Sequence, residues 1–221
     1  MNTTLIMTAL AGLITLAAFL YGVYFFFVRD TAQYCKILAC AAGCRAISDI
    51  FTVIYGICFR GEATGVGVAV LGYFGSYLFL FSANYGQFDK LVDDGSKELK
   101  KYALFALAAP IAFTVCAVPL ILQTAKSGPT AAVTGIAVFV PAIAASYYNL
   151  KHLLLPDMGF GFLRGMRVSN ACALLLYAVD LARDYGRIAD LPAADIISPL
   201  SGVCFAVLIA AAKRGYEKWW I

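Results

Sequence analysis

Arg45 and Asp49 stand four residues apart, and Asp180 precedes Arg183 and Asp184 by three and four, each set inside a long apolar run. Residues at those separations share one face of a helix, so each set forms a one-sided cluster of acids and guanidinium groups. Tyr177 and Asn170 extend the second cluster at helical intervals. A third run carries Tyr73, Tyr77 and Asn84 on one stripe, and a fifth carries Ser146, Asn149 and His152. The chemistry open to such groups is that of carboxylates. A carboxyl shielded from water can keep and deliver a proton, whereas one beside an arginine works as an anion. A pair can protonate a substrate and activate water, or relay protons in transport. Other hydrolytic signatures are missing: no HExxH, GxSxG or Walker-type segment occurs. His152 lies beside Lys151 at the end of its run, where a solvated interface residue is expected, and Lys213 is too close to the end of the last run to hold a retinal.

The elements that must position these groups follow from composition. The 221 residues are 62% hydrophobic and only 14% charged, with mean hydropathy +0.81, against about 25% charged in soluble domains. That balance excludes a disordered chain, a nucleic-acid binder and an ordinary water-soluble enzyme. A bilayer crossing needs roughly 20 apolar residues, and seven stretches qualify, at about 4–28, 37–59, 64–88, 102–124, 130–153, 168–188 and 193–212. They are apolar on all sides and too long for barrel strands, so helices are required. An all-α membrane protein is therefore expected, with residues 1–221 forming a single bundle of seven transmembrane helices. The first run lacks a positive leader and a small-residue cleavage site, and reads as a retained helix rather than a secretion signal.

Basic residues set the orientation. With the N-terminus outside and the C-terminus cytoplasmic, inner segments hold Arg29, Lys36, Lys90, Lys97, Lys100, Lys101, Lys151, Arg164, Arg167, Lys213, Arg214 and Lys218, while outer ones hold Arg60, Lys126 and Arg187. The net charge of +4 is then the cytoplasmic collar of a multi-pass plasma-membrane protein and calls for no nucleic acid. Trp219 and Trp220 beside Lys218 form an interfacial anchor. Pro129 and Pro192 suit helix starts, whereas Pro110, Pro119, Pro141 and Pro199 should bend the spans that hold them. Gly65, Gly67, Gly72 and Gly75, with the small-xxx-small pair Gly72–Ser76, favour close approach of the third helix to a neighbour. The seven cysteines, Cys35, Cys40, Cys44, Cys58, Cys116, Cys172 and Cys204, contain no CxxC pair and read as packing residues, with no metal site and no disulfide framework.

Depth unites the two clusters. Asp49 and Asp180 each lie about a dozen residues into their spans, roughly 18 Å from the inner boundary at 1.5 Å per residue. Matched depth suggests one polar cavity, with Asp49 and Asp180 as the catalytic pair and Arg45, Arg183, Asp184, Tyr77, Asn84 and Tyr177 as ligand contacts. The competing reading is that the Arg–Asp pairs simply fasten helices together.

The stretch Tyr34-Cys-Lys-Ile-Leu-Ala-Cys-Ala-Ala-Gly-Cys-Arg-Ala-Ile-Ser-Asp49, followed by Leu71-Gly-Tyr-Phe-Gly-Ser-Tyr-Leu-Phe79, resembles the YhhN (lysoplasmalogenase-like) membrane family. In that family a helix ending in Gly-Asp precedes one with a Gly-x-Phe…His-x-x-Tyr pattern. Asn170-Ala-Cys-Ala-Leu-Leu-Leu-Tyr-Ala-Val-Asp180 is similar to its Gly-Ala…Ser-Asp segment. Ser48 stands where the family has glycine, Tyr77 near where it has histidine, and its Lys-Pro helix start is not evident. The resemblance implies that Asp49 and Asp180 are the family's two aspartates. It also implies hydrolysis of the vinyl-ether bond of lysoplasmalogens, and seven helices if the first of the family's eight is missing.

Together these readings point to a cavity for a membrane lipid or small amphiphile, with lysoplasmalogenase-like hydrolysis as its enzymatic version. A receptor-like sensor or a small-molecule transporter without chemistry is the alternative, and a scaffold is a third. No cofactor is implied, and self-association into a homo-oligomer stays open.

Overall fold

A long apolar run has to satisfy its own backbone polar groups, and a helix does so without help from neighbours. In a computed structural model, the structure describes residues 3–29, 31–59, 68–85, 97–126, 128–155, 161–191 and 193–217; these are helical almost throughout and include no strand. Helix α1 (Thr3–Gly22) runs on into a π-helical turn at Val23–Phe27, followed by α2 (Gln33–Cys58) and α3 (Val68–Ser82). A second π-helical turn at residues 83–85 ends α3. Then come α4 (Lys97–Ala106), α5 (Ala108–Ala125), α6 (Pro129–Leu154), α7 (Gly161–Ile188), the single turn α8 (Ala193–Ile196) and α9 (Ser198–Glu217).

Among the described residues, five helical stretches are long and apolar enough to cross a membrane: Thr3–Phe27, Gln33–Cys58, Lys100–Ala125, Ala131–Leu154 and Ala194–Glu217. They correspond to the first, second, fourth, fifth and seventh expected runs. The third run is described only from Val68 onward, and α7 dilutes its apolar residues with Arg167, Asp180, Arg183, Asp184 and Arg187. Helix α7 also begins earlier than the expected residue 168, at Gly161, and α9 continues past residue 212 to Glu217. Arg60, Gly65, Gly67, Lys90, Pro192, Lys218, Trp219 and Trp220 lie outside the described residues.

The prolines split into two kinds. The helix breaks at Leu107, where Pro110 cannot donate to the Ala106 carbonyl, and again at Ile197, just before Pro199. Pro119 and Pro141 sit inside α5 and α6 with no interruption of the helix, so the bends expected there do not become breaks. Pro129 opens α6 as a first-turn residue.

Neighbouring helices close a ring: α1 packs on α2, α2 on α3, α3 on α6, α6 on α7, α7 on α9 and α9 on α1, with α5 outside against α6 and touching α7. Thr4 Oγ1 donates to Asp195 Oδ2 (2.5 Å) and Lys213 Nζ to the Tyr21 hydroxyl (3.1 Å), so α1 and α9 run parallel. Helix α2 runs back along α1, with Gly12 against Asp49 and Gly22 against Ala39.

An apolar core, with Phe26, Leu38, Leu80, Leu176 and Phe205 buried, is joined here by an apolar exterior and by buried polar groups. Leu71, Leu104, Phe105, Val115 and Val133 are each about two-thirds exposed, whereas Arg45, Ser48, Ser76, Ser146 and Asn149 are fully buried. Such a surface suits hydrocarbon, and polar side chains are drawn inward because lipid offers them no partner. At Gly72 a Cβ would meet the Cys44 carbonyl and Ser48 Cβ at 2.7 Å. Only glycine lets α3 come that near to α2, where Ser48 Oγ donates to the Ala69 carbonyl at 2.5 Å. All seven cysteines are unpaired.

Candidate functional site

The close approach of α2 and α3, and of α7 beside them, brings the two predicted clusters into one. Arg45 points its guanidinium fork at Asp180: Nη1 donates to Oδ2 at 2.7 Å and Nη2 to Oδ1 at 2.8 Å. This is the parallel two-bond geometry that a planar guanidinium and a carboxylate share. The Tyr77 hydroxyl of α3 also donates to Asp180 Oδ2, and Arg183 Nη1 lies 3.2 Å from Oδ1. Every contact to Asp180 thus comes from a donor, as befits a carboxylate that accepts. The bond expected within α2 is the weaker one. Arg45 Nε is 3.5 Å from Asp49 Oδ2, and among the described residues neither atom has a hydrogen bond.

Asp49 is held instead by Tyr73, whose hydroxyl donates to Oδ1 at 2.8 Å. The Tyr73 ring also lies beneath both cations, with Arg45 Cζ 4.3 Å and Arg183 Cζ 5.5 Å from its centroid. Gly12 seals the far side of Asp49, since a Cβ there would stand 3.1 Å from Asp49 Cβ. Arg45, Asp49, Asp180 and Arg183 are all buried, and they pair two positive with two negative charges. An unpaired Asp or Arg at a helix centre costs about 2.5–3.5 kcal/mol on insertion scales. Mutual neutralisation is what lets four of them stay in the interior. Asp184 lies at the rim: it meets Arg183 Nε at 3.3 Å with about a third of its side chain exposed. Arg187 is further out, pairing with Asp195 at 3.3 Å.

A second network runs from this core toward the C-terminal end of α6. Asn84, in the π-helical turn, donates to Asn149 Oδ1 at 2.7 Å, and Asn149 Nδ2 donates to the Tyr177 hydroxyl at 3.0 Å. The Tyr177 ring packs edge-on against Tyr77, centroids 5.4 Å apart, which joins the amide network to the charged one. His152 is part of it, with Nδ1 3.1 Å from Asn84 Oδ1. The expectation of a solvated histidine is therefore corrected: His152 is buried, because α6 turns it inward onto Asn84. Asn170 lies on the same face of α7 as Tyr177 and is buried with neither amide atom hydrogen-bonded among the described residues.

Thus Arg45, Asp49, Tyr77, Asp180 and Arg183 come together, Asn84 and Tyr177 adjoin them through side-chain contacts, and Asp184 stands at the edge. Tyr73 is the residue that spacing undervalued. It lies four residues before Tyr77 on the stripe already noted, and only the approach of α2 reveals that it serves both acids' counter-ions. The expected chamber is largely filled by these side chains. Beside them is a cleft of about 10 Å³, room for one water, lined by the apolar Phe113, Ala117, Phe139, Ala142, Ile143 and Leu181 together with Asp180, Tyr77 and Tyr177. Among the described residues no group of histidines, cysteines and acids is arranged to hold a metal ion. No protein-family model, curated protein or solved structure matches this chain.

Proposed function

We propose that the protein crosses the plasma membrane seven times, N-terminus outside and C-terminus cytoplasmic, and that its buried acid–guanidinium cluster receives the head of a lipid or small amphiphile. The seven-span reading is supported by the ring, in which α3 and α7 stand between helices that are long and apolar enough to cross. The orientation is supported by the gathering of Arg29, Lys36, Lys151, Arg167, Lys213 and Arg214 toward the end where α9 finishes.

The observation that carries the ligand reading is a cleft whose mostly apolar lining includes a carboxylate and two tyrosines. An apolar lining with a few polar groups is what an amphiphile needs. Entry of a head group needs the cleft to widen, by side-chain or helix movement at walls that come from separate helices. In the hydrolytic version a vinyl ether takes a proton on the vinyl carbon remote from oxygen, leaving an oxocarbenium ion. Water adds to the carbon next to oxygen and returns one proton to the carboxylate, and the resulting hemiacetal collapses to a fatty aldehyde and a glycerophospho-base. Asp49 is the better-placed proton carrier, since its Oδ2 receives no hydrogen bond, and the negative charge it gives up on taking a proton is supplied by the phosphate of the bound lipid. Asp180 serves as the fixed anion, and Arg45 and Arg183 serve as partners for a phosphate.

The experiment is an assay of the purified full chain with a lysoplasmalogen in mixed micelles, reading aldehyde release alongside the lipids that co-purify. Turnover that vanishes in a folded Asp49→Asn or Tyr77→Phe variant supports hydrolysis. Retained lysolipid without turnover leaves binding as the function. Neither turnover nor any bound amphiphile would sink both and leave the cluster as a fastening between helices.

A further inference from the structure

A second site lies at the opposite end of the ring's α1–α9 seam from Asp195 and is independent of the charged core. The π-helical turn Val23–Phe27 brings α1 to a close against the last turns of α9, and between them is a cavity of about 90 Å³ lined by Phe25, Phe26, Arg29, Thr31, Lys213, Tyr216 and Glu217. Two cations border it and share one aromatic ring: Lys213 Nζ is 3.6 Å and Arg29 Cζ 4.8 Å from the Phe25 centroid. Lys213 is further oriented by the Tyr21 hydroxyl at 3.1 Å. Among the described lining residues the acid is Glu217, 3.5 Å from Lys213 on a side chain that is half exposed. Two cations thus face one carboxylate among the described residues of the lining. π-Helical turns recur at functional sites because they redirect the side chains around them, and here the turn sets Phe25 beneath both cations.

We propose that this cavity binds a phosphate monoanion or diester, presented as the head group of an anionic phospholipid or as free phosphate. A phosphate oxygen accepts from Arg29 and Lys213 together, and the Thr31 hydroxyl adds a neutral donor once it leaves the Phe26 carbonyl, to which it now donates at 3.1 Å. Phe25 and Phe26 give the glycerol backbone an apolar seat. The position at the helix ends, beside the lipid-facing surface, is where basic pockets between spans take anionic head groups.

Native mass spectrometry of the full chain in detergent tests this with phosphatidylglycerol, phosphatidylcholine and inorganic phosphate as separate probes. Phosphatidylglycerol should be retained over phosphatidylcholine, and loss of either cation (Arg29→Gln or Lys213→Gln) should weaken retention about five-fold. Glu217→Gln should strengthen it. Lys126→Gln, at an exposed lysine outside the cavity, should leave it unchanged. Displacement of the lipid by millimolar inorganic phosphate would assign the site to the free anion, and resistance would assign it to the lipid. Equal retention of both lipids, or losses in the Lys126 variant matching those at Arg29 and Lys213, would overturn the proposal. Since Asp49 and Asp180 take no part, this result stands or falls apart from the lysolipid assay.

Discussion

Asp180 receives contacts from Arg45 on α2, Tyr77 on α3 and Arg183 on its own helix, so one carboxylate ties three elements. Removing one member of a buried pair leaves the other charged and unpartnered, which costs about 3–5 kcal/mol. Arg45→Ala should lower the unfolding midpoint in detergent accordingly. Asp184→Asn, at a partly exposed pair, should change stability by about 1 kcal/mol or less. If the two variants melt alike, the cluster is not bonded as described. The residue types and their one-sided spacing were readable directly, including the stripe that carries Tyr73 and Tyr77. The partner choice was not. Spacing tells which side chains share a face but not which face meets which: it puts Asp49 within reach of Arg45 in the same helix, whereas the Arg45 fork closes on Asp180. His152 misled for a related reason. Adjacency to Lys151 suggested water, but consecutive residues on a helix point about 100° apart, and both are buried here.

At the scale of elements, the decisive feature is how closely α3 lies on α2. The Gly72–Ser76 spacing announced a close approach, and the structure supplies its counterpart, the Cys44 carbonyl and Ser48. Gly72→Leu should force the two helices apart and destabilise by about 1–3 kcal/mol or more. It should also lengthen the Tyr73–Asp49 and Tyr77–Asp180 bonds, because both tyrosines ride on α3. A variant as stable as the parent would show that the approach is not needed. Helix existence was legible throughout from apolar length alone. Breaks were legible only in part: Pro110 and Pro199 interrupt their helices, Pro119 and Pro141 do not. Local sequence cannot distinguish these cases, because the outcome depends on what else reaches the freed carbonyl.

For the whole molecule, parallel α1 and α9 place the start of the first helix and the finish of the last at opposite ends of the bundle. With the C-terminus cytoplasmic, as proposed from the distribution of basic residues, a fluorescent protein fused after Ile221 should mature and glow, and an exported-phosphatase fusion at the same place should stay inactive; the reverse pair would refute the orientation. The charged core raises the larger question of whether it serves a ligand or only cohesion, and buried ion pairs offer a way to separate the two. Replacing both partners with apolar residues of similar size is often neutral or stabilising. The most direct measurement is thus lysophospholipid binding by the folded double variant Arg45→Met/Asp180→Leu against the parent, read by native mass spectrometry with the unfolding midpoint taken on the same sample. Binding reduced at least ten-fold in a double variant that still folds, even with the lower midpoint expected from the partners it leaves at Arg183, Asp49 and Tyr77, is the outcome this account predicts. A folded variant that holds the lysolipid as tightly as the parent would contradict it.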